Sequence, residues 1–309
     1  MDLLQYLAVS NIDKPIGKII YTQFLNSRGG IEADLTISRT GEEEFYIVTG
    51  SAFGVHDRSW IEKHSPRDGS VVIDDLTEKF GVINLCGPHA RDVLQNVTDD
   101  DISNETLPFS SYADIRVAGH PVRAMRIGYV GELGWEMHMG RENMPAVYKA
   151  LAEAGSQYDI ADVGYRAIDS LRMEKGYLYW SSDISPDYNP FEAGLGFRVN
   201  MKKGDFIGRD ALISIKENGG PERKIAYFTL EKYMPVYGSE PIMREGRILD
   251  VTTSANFGYT IGKPLVFGYL PVQEFKNRNF SVEAFGEVIP ATRHDGPVSY
   301  THLTLPTKA

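Results

Sequence analysis

The chain has 309 residues, a mass of 34.5 kDa, a net charge of −10 and one cysteine. A single cysteine excludes an intramolecular disulfide and a cysteine-based zinc site. The acidic balance argues against a nucleic-acid binder, and no apolar run reaches the ~18 residues of a membrane span. Because no signal peptide is visible at the start, we predict a cytoplasmic location, with the mitochondrial matrix as the alternative.

The first two thirds of the chain mix short strands with helices. Apolar alternation and turn residues predict strands at 18–25, 31–39, 45–49, 80–86 and 134–139 and a hairpin at 115–129. Apolar faces and capping residues predict helices at 51–63, 142–154, 164–175 and 209–217. Strand 80–86 is typical of a buried strand, and Cys86 at its end is expected to be a buried structural thiol.

The pattern of predicted elements changes at Gly219-Gly220-Pro221. Beyond it only short β-type runs occur, at the spacing of a small barrel or sandwich. These runs are 223–231, 247–253, 265–269 and 280–285. We therefore predict two domains, 1–220 and 221–297. The last residues, 298–309, look like a non-native, disordered tail, and no function is expected of them.

Most standard catalytic motifs are missing from the sequence. It contains no phosphate-binding loop, no H-E-x-x-H pair and no G-x-S-x-G elbow, and no metal site is predicted. Three segments instead combine carboxylates with aromatic residues beside turns: 126–136, 169–180 and 183–196. A carboxylate can accept two N–H bonds from the edge of a flat heteroaromatic ligand while a ring packs on its face. Capped turns with aromatic core residues explain the same pattern equally well.

Six stretches stand in a fixed order along the chain. They are Tyr21 to Thr36, Leu85-Cys-Gly-Pro-His-Ala-Arg91, Tyr129-Val-Gly-Glu-Leu-Gly-Trp-Glu136, Ser170-Leu-Arg-Met-Glu-Lys-Gly176, Asn189 to Phe197 and Asp205-Phe-Ile-Gly-Arg-Asp-Ala-Leu212. In this order they resemble the glycine-cleavage T-protein (aminomethyltransferase) family, above all the C-terminal folate module of dimethylglycine and sarcosine dehydrogenases and oxidases. The resemblance implies an α+β folate-binding body of mixed sheets and helices, followed by a small C-terminal β-barrel.

The resemblance also implies a folate site. Glu136 matches the carboxylate that binds the pterin edge, where a ring N–H beside an amino group suits a bidentate acceptor. Tyr129 matches an aromatic residue of the same pocket. Trp180 stands where T-proteins have a tyrosine near the pterin, although a core ring is the competing interpretation. Glu192 is a weaker folate candidate, because it could simply cap its own turn.

Two positions depart from the T-protein pattern. Ser10-Asn11 stands where T-proteins have Asn-Asp, and the family aspartate orients the reacting groups. An asparagine can orient a group but cannot take up a proton as a carboxylate does. Asp13 is the alternative acid near this catalytic position. Ile168 replaces an arginine that meets the folate tail, which supports placement in the dehydrogenase branch.

The implied function is capture of a carbon unit on tetrahydrofolate. An FAD-dependent part, in a missing N-terminal segment or a partner chain, would oxidise an N-methyl amine such as dimethylglycine or sarcosine. This chain would then form 5,10-methylenetetrahydrofolate. Because it begins inside the family's folate module and has no dinucleotide-binding loop, it is interpreted as truncated. The alternatives are a catalytically silent folate-binding subunit and a stand-alone aminomethyltransferase.

Overall fold

Three β-sheets organise the chain in the computed structural model, which describes residues 1–298. The strands are β1 (Ile19–Leu25), β2 (Ile31–Arg39), β3 (Phe45–Val48), β4 (Phe80–Cys86), β5 (Tyr112–Val117), β6 (His120–Met125), β7 (Gly134–Gly140), β8 (Arg223–Leu230), β9 (Pro241–Arg244), β10 (Arg247–Gly258), β11 (Lys263–Pro271), β12 (Asn279–Ala284) and β13 (Glu287–His294). The helices are α1 (Asp2–Leu7), α2 (Gly54–His64), α3 (Ala90–Gln95), α4 (Met144–Gly155), α5 (Tyr165–Glu174) and α6 (Arg209–Glu217). Apart from Val298, the predicted non-native tail lies outside the described residues.

The first sheet is a three-stranded antiparallel meander in the order β1-β2-β3. Side chains alternate along β2, so Ala33, Leu35 and Ile37 pack into an apolar core with α1. The opposite face of β2 carries Asp34 and Thr36, which are only half-buried. This sheet therefore has one apolar face and one polar face, and the polar face is free to line a site.

The second sheet has four antiparallel strands in the order β4-β7-β6-β5. Its apolar face packs against α3 and α4, around the fully buried Trp135 and Met137. Glu136 and His138 stand on either side of Met137 along β7. They point to the other face because strand side chains alternate. Tyr46 of the first sheet reaches this face, so the polar faces of the two sheets meet at Tyr46, and the region between these faces is called the cleft.

The C-terminal strands close into a six-stranded antiparallel barrel in the order β10-β11-β8-β13-β12-β9. This arrangement confirms the predicted α+β class with a C-terminal barrel. Strands β9 and β13 are additional to the prediction, because β9 has four residues and β13 contains a proline and several charges. The division into domains at residue 220 stays a prediction.

Strand β4 corrects one expectation. It is the edge strand of its sheet, and Phe80, Val82 and Cys86 are exposed on the face that looks into the cleft. The prediction of a buried strand and a buried Cys86 thiol was wrong, because an apolar run does not reveal that one of its faces is uncovered. Helix α2 also begins at Gly54, so Ser51 does not cap it.

A buried ion pair joins α5 to the barrel. The Arg172 guanidinium donates to Asp183 at 2.7 Å and to the Ser254 hydroxyl at 2.9 Å. Asp183 also accepts from the Thr253 hydroxyl at 2.6 Å, and Tyr269 donates to the Asp183 carbonyl. Charge-assisted hydrogen bonds of this kind offset the cost of burying both charges. The Arg172–Asp183 network therefore fixes the loop that carries Trp180.

A close backbone approach fixes the turn between β1 and β2. A Cβ atom at Gly30 would overlap the Pro186 carbonyl, so only glycine fits there. Ile31 then donates its amide to the Tyr188 carbonyl at 3.0 Å. These contacts press the 180–190 loop against the start of β2.

No helix within residues 1–298 has both the length and the apolar character needed to cross a membrane. Within the same range, no three His, Cys, Asp or Glu side chains are grouped so that they could hold a metal ion.

Candidate functional site

The cleft lies between the polar face of the β1-β2-β3 sheet and the Glu136 face of the second sheet. Tyr46 spans it at one end, where its hydroxyl lies 3.0 Å from His138 Nδ1 and its ring meets the imidazole edge-on. Arg123 packs over the Tyr46 ring at 5.1 Å. From Tyr46, which is opposite Ser38, the polar face runs about 14 Å along β2 to Asp34 at ~3.4 Å per residue.

Glu136 is an unengaged carboxylate in this cleft. Its side chain is 21% exposed, and the His138 imidazole lies beside it, with Nε2 3.6 Å from the carboxylate. Within residues 1–298 no donor forms a hydrogen bond with Glu136, and His138 Nε2 is itself buried without a partner. The partly exposed Glu136 carboxylate is therefore available to a ligand, with the buried His138 imidazole beside it.

Tyr129 forms another part of the cleft wall. Its hydroxyl donates to the Leu178 carbonyl at 2.6 Å, and its ring stacks on Tyr177 at 5.9 Å. Burial raises the pKa of Tyr129 above its ordinary value, so the phenol stays neutral. The hydroxyl is thus engaged with the backbone, and the partly exposed ring is what Tyr129 offers to a ligand.

Trp180 lies at the far end of the cleft, beyond the bulge that separates β2 from the Gly30 turn. Its indole N–H donates to the Ile31 carbonyl at 3.3 Å. Phe53 meets its ring at 4.6 Å and His56 lies 5.8 Å away. The indole orientation is therefore fixed. Within residues 1–298 neither a hydrogen bond nor a ring contact joins Trp180, Tyr129 and Glu136, so their common role in folate binding stays a prediction.

Asn11 follows a short segment that runs alongside β1. Ala8 bridges Phe24, and Ser10 donates its amide to the Thr22 hydroxyl, so the segment follows β1 as far as Ser10. The Asn11 carboxamide oxygen accepts from Gln5 Nε2 at 2.6 Å and from the Asp13 amide at 3.1 Å. The acceptor atom at this position is thus used within the loop.

The two remaining predicted site carboxylates are engaged elsewhere. Asp13 is exposed and forms an ion pair with Arg39 at 2.9 Å. Glu192 accepts from the Asn189 amide at 2.9 Å and pairs with Arg223 at 3.2 Å, which ties its turn to strand β8. Neither carboxylate is directed into the cleft by these contacts.

A polar group that sequence reasoning missed lines the middle of the cleft. Tyr21 donates its hydroxyl to Asp34 at 2.9 Å, across the β1-β2 ladder. Beside them the Gln23 carboxamide is fully buried, and neither its nitrogen nor its oxygen has a hydrogen-bond partner. The alternation of polar residues along β2 could have revealed this group, because an amphipathic strand with acidic residues on one face indicates a lined cleft.

Asp34 is the most perturbed carboxyl group of the cleft. Burial raises its pKa to about 6, opposed by the hydrogen bond from Tyr21 and assisted by the charge of Asp57. Asp57 in turn accepts from Thr49 and from His56 Nδ1. A perturbed carboxyl group that keeps some accessible surface in a cleft marks a functional-site candidate.

Known families identify the fold around this cleft. The glycine cleavage T-protein family model for the N-terminal domain matches residues 1–203, and the model for the C-terminal barrel domain matches residues 223–299. The chain belongs to the glycine cleavage T-protein family. This finding confirms the resemblance drawn from the six sequence stretches.

Three similar proteins extend this placement. The mitochondrial sarcosine dehydrogenase of Mus musculus is 37% identical over 312 residues, which cover 94% of this chain and 34% of that protein. The mitochondrial dimethylglycine dehydrogenase of Mus musculus is 37% identical over 310 residues, which cover 99% of this chain and 35% of that protein. The crystal structure of glycine cleavage system aminomethyltransferase T from Bartonella henselae matches with a TM-score of 0.83 and 26% identity. The match covers 96% of this chain and 80% of that chain. The chain spans about a third of the length of the two dehydrogenases.

Proposed function

We propose that this chain is a tetrahydrofolate-binding one-carbon transfer module. It works with an FAD-dependent amine-oxidising part of the dimethylglycine or sarcosine dehydrogenase type. The carbon unit released from an N-methyl amine enters the cleft and leaves as 5,10-methylenetetrahydrofolate. The family membership and the two dehydrogenase relatives support this assignment over an unrelated binding role.

One observation carries the proposal: the Glu136 carboxylate stands in the cleft without a hydrogen-bond donor of its own among residues 1–298. A buried or half-buried carboxylate that lacks donors costs free energy, so such a group is retained where a ligand supplies them. A pterin edge offers two adjacent N–H donors in the geometry that a carboxylate accepts.

Bound tetrahydrofolate would supply the nucleophilic nitrogens for the reaction. The side chains of the chain do the rest. Glu136 orients the ligand edge, Tyr129 and Trp180 present ring faces along the cleft, and the enclosing sheets exclude water. Exclusion of water matters because the carbon unit is reactive and would otherwise be lost as free formaldehyde. Positioning alone can supply a large share of the rate enhancement, since it replaces a bimolecular encounter with a bound geometry.

FAD belongs to another part of the enzyme in this proposal. The sequence has no dinucleotide-binding glycine loop at a strand–helix junction, so the oxidation is placed in a preceding segment or a partner chain. The cytoplasmic location stays a prediction. The word mitochondrial in the names of both dehydrogenases favours its alternative, the matrix.

The function is tested by a transfer assay with formaldehyde as the carbon source. The purified chain is mixed with tetrahydrofolate and low formaldehyde, and methylenetetrahydrofolate is followed by a coupled dehydrogenase. We expect formation faster than in the chain-free reaction, and loss of most of this increment in Glu136→Gln. The exposed barrel variant Glu283→Gln is the matched control and should keep the full increment. A rate equal to the chain-free reaction, together with no tetrahydrofolate binding, would refute the proposal.

A second candidate is a catalytically silent folate-binding subunit. The specific observation in its favour is Asn11, whose amide stands at the family's aspartate position and is already bonded to Gln5. This candidate predicts normal tetrahydrofolate affinity without any accelerated transfer. It also predicts that Asn11→Asp gains transfer activity, whereas acceleration by the wild-type chain would exclude it.

A further inference from the structure

Lys203 is a half-buried lysine that meets helix α1 at Gln5. From its surroundings we infer that the Lys203 amine is a covalent attachment site for a small aldehyde, and that formaldehyde is the aldehyde it captures. The inference rests on the proposed function only for the source of the formaldehyde. It assigns a chemical role to a lysine that lies outside the six family stretches.

Neutral oxygen atoms, and no carboxylate, hold the Lys203 amine. Its Nζ donates to the Gln5 main-chain carbonyl and lies 3.4 Å from the Gln5 carboxamide oxygen. Within residues 1–298 no Asp or Glu side chain forms an ion pair with it. An ammonium that is partly removed from water and has no counter-charge is disfavoured relative to the neutral amine. These surroundings therefore favour the nucleophilic form of lysine.

The Gln5 carboxamide is fixed with its oxygen toward Lys203. Its Nε2 donates to the Asn11 carboxamide oxygen at 2.6 Å, and its Oε1 accepts the Ile12 amide at 3.2 Å. Rotation of the carboxamide by half a turn would break both bonds and would point N–H donors at the lysine. The Lys203 amine thus keeps a defined place between two acceptor oxygens.

The neighbouring elements bring no charge that would reverse this preference. From α1 the uncharged Gln5 meets the amine, while on its own loop Lys202 is exposed and the Asp205 carboxylate accepts the Phe206 amide. Burial lowers the pKa of Lys203 to about 8, and no charged side chain among residues 1–298 adds to or opposes this shift. About a tenth of the Lys203 amine is therefore neutral at pH 7, against less than about one part in 10³ for an ordinary exposed lysine.

An aromatic ring beside the amine suits the site to a cationic product as well. The Lys203 Nζ lies 5.3 Å from the centre of the Phe206 ring, and Phe206 is buried. An iminium on the same nitrogen keeps a positive charge and one N–H group. The ring attracts that charge and a Gln5 oxygen accepts that N–H, while partial burial limits the access of hydrolysing water.

The attachment needs neither an oxidant nor a reductant. The neutral Lys203 nitrogen attacks the formaldehyde carbon, an N–C bond forms, and the nitrogen transfers one proton to the former carbonyl oxygen to give N–CH₂–OH. This hydroxyl then takes up a proton from solvent and leaves as water, which gives the iminium N⁺H=CH₂. Addition of water reverses both steps. The carbon unit is thus held near the N-terminal helix without being consumed.

The first test maps where low formaldehyde reacts on the folded chain. Short exposure to less than one equivalent of formaldehyde is followed by borohydride, which reduces an iminium to a stable N-methyl group. Peptides from a protease that does not cleave at lysine are then read by mass spectrometry. At pH 7 we expect Lys203 to be methylated at least about tenfold faster than the exposed Lys202. Equal or slower methylation of Lys203 would overturn the inference.

The second test is the pH dependence of the same labelling. The rate at Lys203 should rise with pH and level off above about pH 8, because the amine is then already neutral. A rate at Lys203 that still rises steeply between pH 9 and pH 10 would overturn the inference, because an ordinary lysine behaves in this way.

A variant that keeps the lysine tests the role of its surroundings. Gln5→Glu places a carboxylate beside the amine, which favours the ammonium, so labelling of Lys203 at pH 7 should fall about tenfold or more. The exposed control Gln157→Glu should label as the wild type does. Lys203→Arg should lose one equivalent of label, whereas Lys202→Arg should keep it. Unchanged labelling of Lys203 in folded Gln5→Glu would overturn the inference.

Failure of this inference is distinguishable from failure of the proposed function, because labelling is measured without tetrahydrofolate. If the wild-type chain neither binds tetrahydrofolate nor accelerates transfer, the proposed function fails, and preferential labelling of Lys203 would still support the aldehyde site. If the chain does both and Lys203 is not labelled ahead of Lys202, the failure is confined to the aldehyde site.

Discussion

Two enclosed aspartates show how differently this fold treats a carboxylate. Asp183 is fully buried and accepts hydrogen bonds from Arg172, the Tyr179 amide and Thr253. Asp34 has one side-chain donor among residues 1–298, Tyr21, and a raised pKa. The satisfied carboxylate ties α5 to the barrel, whereas the poorly satisfied one lies in the cleft. The burial of Asp34 in the cleft thus destabilises the fold, whereas the contacts of Asp183 stabilise the elements around the cleft.

The largest effect is expected at the satisfied carboxylate. Asp183→Asn removes the charge that compensates Arg172, so that among residues 1–298 the buried guanidinium keeps Asp169 alone as an ion-pair partner. Breaking a buried pair in this way costs about 3 kcal/mol or more. Urea unfolding should show this loss, while the exposed Asp187→Asn control stays near the wild type. Equal stability of the two variants would mean that the Arg172–Asp183 network does not stabilise the fold.

Asp34→Asn should change the free energy of unfolding in the opposite direction to Asp183→Asn. A carboxyl group whose folded-state pKa is raised from 3.8 to about 6 costs no stability below pH ~4, and stability is lost as the pH rises through 6. At neutral pH the variant should therefore be more stable by about 1–3 kcal/mol, at ~1.4 kcal/mol per unit of pKa shift. At pH ~4 the two proteins should converge. A variant that is less stable than the wild type at neutral pH would contradict the contrast with Asp183.

Trp180 tests the cleft at its far end. Trp180→Phe keeps an aromatic face but loses area and the N–H bond to the Ile31 carbonyl. We expect tetrahydrofolate to bind about 5–10-fold more weakly, the effect of about 1 kcal/mol of ring contact. Trp60→Phe is the control with an unchanged affinity, because Trp60 packs against the apolar core of the first sheet, near Lys63 and His64. Equal losses in both variants would place the ligand elsewhere.

The smallest effect is expected at Glu192. Its carboxylate already serves Asn189 and Arg223, so Glu192→Gln should leave tetrahydrofolate affinity within about twofold. The partly exposed pair with Arg223 should cost at most about 1 kcal/mol of stability. Calorimetry and urea unfolding on one preparation give both values. A tenfold loss of affinity would restore Glu192 to the folate site.

Sequence reasoning was strongest where a pattern repeats or a stretch matches the family as a block. The strands of the cleft and the barrel follow from alternation, and Glu136 and Tyr129 stand in one matching stretch. It was weakest where tertiary context decides. The face of β4 that carries Cys86 is apolar in sequence and open in the fold, because nothing local shows that it borders a cleft.

The Tyr21–Asp34 pair does not follow from the sequence for a related reason. The apolar alternation of β1 and β2 predicts the two strands, but it does not show which residues of their other face meet. Their pairing depends on the register Gln23 to Asp34, which places Tyr21 diagonally across the ladder. Register is fixed by the Gly30 turn and the bulge beside it, and neither can be located from one sequence with that accuracy.

The most direct test of the account is a calorimetric titration of tetrahydrofolate into the wild type and Glu136→Gln. The variant keeps the shape of the side chain but loses the charge that strengthens two hydrogen bonds, so its dissociation constant should rise about 10–100-fold. Glu283→Gln, exposed on the barrel, should bind as the wild type does. Equal affinity of the wild type and Glu136→Gln, or no binding by the wild type, would contradict a folate cleft built around Glu136.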